Sequence, residues 1–427
     1  MQFNTTDLAL AQEMDNQDQL ARFRDEFVIT DPNLVYLDGN SLGRLPKKSV
    51  ERMRQVVEKQ WGERLIRGWN ESWINAPHEL GSKIAALIGA KPDEVLVCDS
   101  TSVNLFKLVI SALQYRSDRR KIVSDVLNFP SDLYIFQGVI DLLGHRHRLE
   151  LIPSHDGVSI SPASIIELID KDTALISLTH VAFKSAFMYD METVTELAHQ
   201  SGAVMLWDLS HSVGAVPVDL NACSVDLAVG CTYKYLNGGP GAPAFLYVRR
   251  DLQKELISPI WGWFASQSPF SFELNFTPAD DIARFKAGTP PVLSMGTLQP
   301  ALDLLLEAKV NRLRDKSVRQ TEYLIYLADH WLIPLGFTVG SPRNAEIRGS
   351  HVSLRHPEAY CINRAMIESE PPALRVIPDF RAPDNIRLGI APIYTSYAEI
   401  NLALQRIRTI VEDEIFKQYS AEKLLVT

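Results

Sequence analysis

The sequence has few cysteines, no long apolar run and no excess of basic charge, and each absence excludes a class of protein. Four cysteines among 427 residues, none in a CxxC pair, argue against a disulfide framework and a structural zinc site. No stretch approaches the roughly 20 apolar residues that a membrane helix requires. The net charge of -9 argues against nucleic acid as the main partner, because phosphate backbones need a basic surface.

The N-terminal twenty residues carry acids and amides, where a secretory or transit sequence would carry basic charge and an apolar segment. We therefore expect no targeting peptide and a cytoplasmic location. His145 and His147 form an HxH pattern, but no further ligands stand nearby in the sequence. A solvated turn is favoured over a metal site there, and we predict no bound metal.

Short apolar runs alternate with helix-length periodic segments through the first half of the chain. The runs are 94–98, 121–126, 147–152, 174–178 and 203–207, with helical segments at 102–115, 131–143, 162–170 and 190–201. This alternation predicts an α/β fold with a parallel sheet. Two more strands are predicted at 227–229 and 244–248, and the Gly/Pro-rich turn between them favours an antiparallel pair.

The alternation of short apolar runs and helices does not extend to the N-terminal and C-terminal parts of the chain. Helices are predicted at 46–67, with Pro46 at the first helical position, and at 73–88. Residues 298–332 are predicted to form one long helix, continuous or kinked, before strands near 351–355 and 385–390 and helices near 357–368 and 396–415. We expect three parts: a segment 1–60 contributing to a small domain, a large domain 61–297, and a linking helix with the small α+β domain, 298–427.

Three polar clusters follow predicted strands, where ligands bind in open α/β sheets. The first, Asp99–Asn104, places small hydroxylated residues at a helix start, which suits a phosphate group. Ordinary helix capping explains the same residues. In the second, Asp208 ends a strand and His211 follows, so the carboxylate could pair with a protonated pyridine nitrogen. A capping Asp and a buried His are the alternative.

The third cluster centres on Lys234, between an apolar strand and a glycine-rich turn. A lysine beside a buried strand can have a lowered pKa and form a Schiff base, whereas an exposed loop lysine is the common alternative. Lys234 stands 26 residues after Asp208, and the phosphate-binding cluster precedes both. This order favours a site for pyridoxal 5′-phosphate (PLP), with Lys234 as the residue that binds it covalently.

The same order resembles the aspartate-aminotransferase-like, fold type I superfamily of PLP-dependent enzymes and, within it, the kynureninase family. The similarity covers nearly the whole chain and is carried by the segments Leu37–Gly43, Asn128–Asp132, Trp207–His211, Thr232–Asn237, Trp261–Trp263 and Asn385–Leu388. It implies a large PLP-binding domain with a mostly parallel seven-stranded sheet, and a smaller α+β domain.

The resemblance also implies a role for each candidate residue. Lys234 would bind PLP and remove the substrate α-proton, with Tyr233 as a candidate for proton delivery. Asp208 would pair with the pyridine nitrogen, supported by His211, while Phe129 stacks on the ring. Further cofactor contacts would come from Thr101, Ser102, Tyr233, Asp132 and Thr179, and, from the second subunit of a homodimer, from Trp263 and Thr289. Substrate contacts would come from Arg387 at the α-carboxylate and from Asn40, Ser41 and Trp69.

The implied reaction is hydrolysis of L-kynurenine to anthranilate and L-alanine, in tryptophan catabolism. Trp69 and Thr289 stand where family members that prefer 3-hydroxykynurenine have His and Asn, so we expect 3-hydroxykynurenine to be the poorer substrate. The alternative is another fold type I enzyme, such as a cysteine desulfurase or selenocysteine lyase, with Cys361 as the candidate nucleophile. An aminotransferase is less favoured. A non-enzymatic regulator would be expected to lack Lys234 or Asp208.

Overall fold

The computed structural model describes residues 3–370, 372–420 and 422, so the ends of the first and last predicted domains lie outside the described residues. The strands are β1 (Leu34–Tyr36), β2 (Val95–Val97), β3 (Lys121–Asp125), β4 (Arg148–Ile152), β5 (Thr173–Thr179), β6 (Val204–Asp208), β7 (Leu227–Gly230), β8 (Phe245–Val248), β9 (Thr338–Val339), β10 (His351–Arg355), β11 (Arg375–Ile377), β12 (Asp379–Arg381) and β13 (Asn385–Gly389). The helices are α1 (Leu8–Asn16), α2 (Lys47–Arg54), α3 (Ala76–Leu87), α4 (Thr101–Tyr115), α5 (Pro130–Leu142), α6 (Pro162–Leu168), α7 (Met191–Ser201), α8 (Val292–Ala308), α9 (Val310–Trp331), α10 (Ala359–Ile367) and α11 (Tyr397–Glu412).

The large sheet has seven strands in the order β2-β8-β7-β6-β5-β3-β4. Strands β3 to β7 pair with one another in parallel, and β8 runs antiparallel to both β7 and β2. The predicted α/β class and the predicted antiparallel pair are therefore confirmed. Strands β5, β6 and β7 are buried throughout because hydrophobic clusters pack on both faces of the sheet, as expected for continuous apolar runs.

A smaller sheet has four antiparallel strands in the order β12-β13-β10-β9, with α10 and α11 packed nearby. Its core cluster also contains Ala11, Val35 and Leu37 from the N-terminal part of the chain. Helix α1 packs on α11, and β1 pairs in parallel with β11. The smaller α+β unit is thus built from both ends of the sequence, while the predicted division at residues 60 and 297 stays a prediction.

Two helix predictions need correction. The predicted helix 298–332 is two helices, because Lys309 has φ 66° and ψ 122°, a backbone conformation in which no helix can continue. The predicted helix 46–67 is regular only over α2 and continues as π-helical turns at Gln55–Arg64 and a 3₁₀ turn at Leu65–Arg67. Pro46 is the residue before the first helical turn, not the first helical residue.

Candidate active site

The carboxyl ends of the central parallel strands gather most of the predicted cofactor residues. Thr179 is the last residue of β5, Asp208 is the last residue of β6, and Lys234 follows β7 by four residues. Phe129 and Asp132 lie at the start of α5, directly after β3. Parallel strands deliver these side chains to one edge of the sheet, which is the usual ligand position in this type of fold.

Lys234 is half-buried, and its amine lies 2.9 Å from Nε2 of His211. Burial, and then the charge of Lys234, hold the pKa of His211 well below its ordinary value, so the imidazole is neutral. A neutral imidazole can accept a hydrogen bond from the ammonium group at Nε2, which leaves the ring proton on Nδ1. The amine nitrogen also lies 6.0 Å from the ring centre of Phe129 and 5.9 Å from that of Tyr233.

Two buried carboxylates, Asp208 and Asp132, lie close to Lys234. Burial raises the pKa of Asp208, and hydrogen bonds from Ser210 and the charge of Lys234 oppose that effect. Burial, and then the charge of Asp208, raise the pKa of Asp132 well above its ordinary range. Oδ2 of Asp132 has no hydrogen-bond partner among the described residues. An unpaired buried oxygen of this kind costs about 1–3 kcal/mol, so the arrangement favours a ligand that supplies a donor or a positive charge.

The start of α4 combines helix capping with further hydroxyl groups. Ser100 is the capping residue and accepts from the backbone N–H of Val103, so the capping alternative is correct for Ser100 alone. Thr101 and Ser102 begin the helix, and Oγ of Ser102 lies 3.2 Å from Oγ of Ser131 at the start of α5. Two helix N-termini therefore present hydroxyl groups to the same space, which suits a phosphate.

Sequence reasoning missed three residues that complete this site. Asn128 holds its neighbours in place, because its side-chain oxygen accepts from Thr179 Oγ1 and from the Phe129 backbone. Ser131 belongs to the quoted segment Asn128–Asp132 and could have been found by its place beside a helix start. His351 is fully buried 5.8 Å from His211, ring centre to ring centre, and no local pattern marks it.

Tyr233 and Phe129 both lie beside Lys234, and they offer a hydroxyl donor and an aromatic ring, respectively. Burial raises the pKa of the Tyr233 phenol, which keeps the hydroxyl protonated and able to donate. The Phe129 ring is partly exposed and packs edge-to-face on Phe183 at 5.3 Å. This exposure suits Phe129 to stacking on a planar ligand.

Arg387 is fully buried on β13 and is surrounded by the residues predicted to share its role. It donates to Oγ of Ser41 at 2.8 Å. It also donates to the Asn40 side-chain oxygen at 2.9 Å, in the amide orientation that gives both the oxygen and the nitrogen of Asn40 a partner. Its charge also contributes to the low pKa of His211, the residue that contacts the Lys234 amine. The structure therefore brings the predicted carboxylate site and the predicted cofactor site together.

Trp69, Trp263 and Thr289 form a separate group around Phe264. Trp69 and Trp263 lie 5.7 Å and 4.1 Å from the Phe264 ring centre, and Thr289 lines a small cavity beside the same phenylalanine. Trp263 and Thr289 are exposed. The ring contact of Phe129, beside the lysine, is with Phe183 and not with this group.

The comparisons with known proteins decide among the alternatives. The family model "Aminotransferase class-V" matches residues 35–356, and "Kynureninase C-terminal domain" matches residues 313–407. Kynureninase from Pseudomonas fluorescens is 40% identical over 410 residues, 95% of each chain, and kynureninase from Burkholderia mallei (strain SAVP1) is 40% identical over 418 residues, 97% of each chain. The chain belongs to the kynureninase family.

Among solved structures, the fold is similar to a cysteine desulfurase from Thermococcus onnurineus NA1, with a TM-score of 0.78 and 20% identity over 92% of this chain and 98% of that one. A C-DES variant with glycine linked to its PLP cofactor has a TM-score of 0.76 and 16% identity, over 88% and 97% of the two chains. These likenesses concern the fold alone. They confirm the predicted fold type I architecture, and PLP is the cofactor of this kynureninase-family enzyme.

The candidate nucleophile of the desulfurase alternative is poorly suited to that role. Cys361 lies in α10 with 7% of its surface exposed, and burial raises the pKa of its thiol. A desulfurase needs an accessible cysteine in its thiolate form. No helix among the described residues is long and apolar enough to cross a membrane, and no group of three or more potential metal-binding side chains occurs among them.

Proposed function

We propose that this chain hydrolyses L-kynurenine to anthranilate and L-alanine at the site around Lys234, and that 3-hydroxykynurenine is the poorer substrate. The observation that carries the proposal is the position of the Lys234 amine against a neutral His211, beside two buried carboxylates and within reach of the charge of Arg387. A lysine, an anion for a ring nitrogen and a cation for a substrate carboxylate are the groups that this reaction requires.

The residues around the lysine fit PLP. Bound PLP supplies an electron sink for cleavage of the bond between Cβ and Cγ. Asp208 would keep the pyridine nitrogen protonated, and the unpaired oxygen of Asp132 and the unpaired Nδ1 of His211 would provide further polar contacts for the ring. Thr101, Ser102 and Tyr233 would hold the phosphate, while Phe129 would stack on the ring and Thr179 would contact it from the end of β5.

Proton transfer is the work of Lys234 and Tyr233. The Lys234 amine would remove the α-proton, and its contact with His211 holds the amine in place. Tyr233 delivers a proton in the second half of the reaction, which its protonated phenol supports. Arg387 binds the α-carboxylate, with Asn40 and Ser41 orienting the guanidinium.

The enzyme is proposed to be a homodimer whose active site is shared between subunits. The surface near Trp263 carries large exposed apolar side chains, with Phe272 at 73% and Trp261 at 65% exposure. Such a patch is typical of an interface. Trp263 and Thr289 would complete the partner's site, and Trp69 would contact the substrate ring. The cytoplasmic location expected from the sequence stays a prediction.

Purified protein tests the reaction directly. The holoenzyme is expected to absorb in the visible range and to release fluorescent anthranilate from L-kynurenine. Borohydride should abolish the visible band and leave the reduced cofactor covalently attached to the chain after denaturation. Lys234→Ala should lose both the covalent attachment and turnover. Failure of the native holoenzyme to release anthranilate would refute the proposal.

Mixing two inactive variants tests the shared site. Lys234→Ala and Trp263→Ala chains are refolded together or co-expressed with different tags, and the mixed dimers are isolated. If one site uses the lysine of one subunit and the tryptophan of the other, each mixed dimer regains one native site and measurable turnover. Mixed dimers that remain as inactive as both parents would show that each chain builds its site alone.

A further inference from the structure

The guanidinium of Arg387 is already occupied by groups of its own chain. Its NH1 nitrogen donates to the Phe183 carbonyl at 2.6 Å, and its NH2 nitrogen donates to Ser41 and to Oδ2 of Asp379. With Nε bonded to Asn40, four of the five N–H donors of an arginine have partners. A second carboxylate can engage such a guanidinium as a two-pronged fork only if one of these partners leaves.

Asp379 is held in front of Arg387 by the sheet itself. The two residues are direct neighbours across the antiparallel pair β12–β13, and both side chains are only 2% exposed. Ser41 donates to the same oxygen of Asp379 at 3.0 Å. An internal carboxylate therefore fills the position in which a substrate carboxylate would be bound.

Asp379 also has a second cation within reach. NH2 of Arg381 lies 2.9 Å from Oδ2 of Asp379, and Nε of Arg381 is buried with no hydrogen-bond partner among the described residues. If Asp379 left Arg387, it could bind both Nε and NH2 of Arg381 as a fork, and the unpaired donor would be satisfied. Asp38, the other carboxylate of this cluster, is separated from Arg387 by the Asn40 amide that bonds to both.

We propose that Asp379 is a resident carboxylate that occupies the Arg387 subsite in the free enzyme, and that the substrate α-carboxylate binds by displacing Asp379 onto Arg381. Asp379 and Arg381 are then positioning residues that set affinity and selectivity for an α-carboxylate. The inference rests on the proposed role of Arg387 as the carboxylate-binding residue.

The exchange explains why two arginines stand around one aspartate. Without a resident anion, a buried Arg387 would carry an uncompensated charge in the free enzyme and would attract any small anion. Asp379 excludes weak anions, and only a ligand that also gains contacts elsewhere in the site displaces it. Selectivity for an amino acid over a simple carboxylate follows from this competition.

Equilibrium binding to the holoenzyme tests the exchange without relying on turnover. L-alanine and ethylamine are titrated while the cofactor absorbance is followed, because they share an amine and differ in the carboxylate. Asp379→Asn removes the competitor and is expected to tighten L-alanine binding about tenfold or more, with ethylamine unchanged. Arg381→Gln removes the alternative partner of Asp379 and is expected to weaken L-alanine binding by a similar factor.

The double variant separates the exchange from a direct attraction by Arg381. Once Asp379→Asn is present, adding Arg381→Gln should have little further effect, because Arg381 acts on the ligand only through Asp379. Equal weakening by Arg381→Gln in both backgrounds would overturn the proposal, since Arg381 would then contact the ligand carboxylate itself. Weaker L-alanine binding by Asp379→Asn, or unchanged binding by Arg381→Gln alone, would overturn it too.

The proposed function and this inference can fail separately. If the native holoenzyme binds L-alanine as described but does not cleave L-kynurenine, the proposed reaction is wrong and the exchange stands. If Arg387→Met binds L-alanine as tightly as the native chain does, Arg387 does not hold the carboxylate and the exchange is refuted.

Discussion

Gly43 is the position at which a single methyl group should disturb catalysis most cleanly. Its backbone N–H donates to the Tyr233 carbonyl at 2.8 Å, so the segment Leu37–Gly43 packs directly on the loop that carries Lys234. A Cβ atom at position 43 would lie 2.3 Å from the Lys234 carbonyl oxygen and 2.8 Å from Cα of Asn237. Side-chain carbons meet such atoms comfortably only beyond 3.4 Å.

The size of the effect follows from that overlap. Relieving it moves the lysine loop by about 1 Å, a displacement that can reduce catalysis about 100-fold when it misplaces a reacting group. The overpacking itself should cost about 1–3 kcal/mol of stability. Gly43→Ala is therefore expected to remain folded at room temperature while kcat/KM for L-kynurenine falls by about two orders of magnitude.

The assay compares two Gly→Ala variants by anthranilate fluorescence and thermal unfolding. Gly138 in α5 is the control, because a Cβ there meets no atom within 4 Å. Gly138→Ala should retain native turnover and gain up to about 1 kcal/mol from the better helix former. Native kcat/KM in Gly43→Ala would refute the reasoning, because the loop would then tolerate the displacement.

Three further predictions concern other parts of the chain. Burial lowers the pKa of His180 to about 4, so the stability that depends on its neutral form is fully present above pH 6.5 and is lost as the pH falls toward 4. The native protein should therefore lose on the order of 3 kcal/mol of unfolding free energy over this window, and His180→Gln should not. Chemical unfolding at each pH measures the difference. Lys309→Gly should raise stability by about 1 kcal/mol, because it relieves a positive φ, and equal or lower thermal stability would contradict this. Cys361→Ala should keep kynurenine turnover, because the side chain is buried. Loss of turnover in this variant would support the cysteine-dependent alternative.

The sequence predicted the large sheet well because its strands are buried on both faces. Runs such as 174–178 and 203–207 are continuous apolar segments, and the structure has β5 and β6 there. Strands β1, β9, β11 and β12 contain only two or three residues and were not predicted, because so short a segment carries no periodicity. The break at Lys309 was not localised, since lysine is a good helix former and nothing in the local sequence marks its positive φ.

The candidate site was predictable to a similar degree. Asp208 and Lys234 could be chosen from their place after strands, and the family motifs supplied the remaining candidates. Asp379 and His351 could not, because their importance depends on partners brought close by tertiary structure. Asp379 faces Arg387 only through the register of β12 and β13, and His351 approaches His211 from a different sheet.

The contacts between the N-terminal segment and the C-terminal strands affect the order in which the chain can fold on the ribosome. The contacts between Ser41 and Arg387 join residues 346 positions apart, whereas the large sheet is complete by Val248. Long-range contacts of this kind form late, after the intervening chain has been made. A nascent chain can therefore assemble the surroundings of the Asp208 carboxylate well before the Arg387 pocket exists, so the groups proposed to hold the pyridine ring form earlier than the group proposed to recognise the substrate carboxylate.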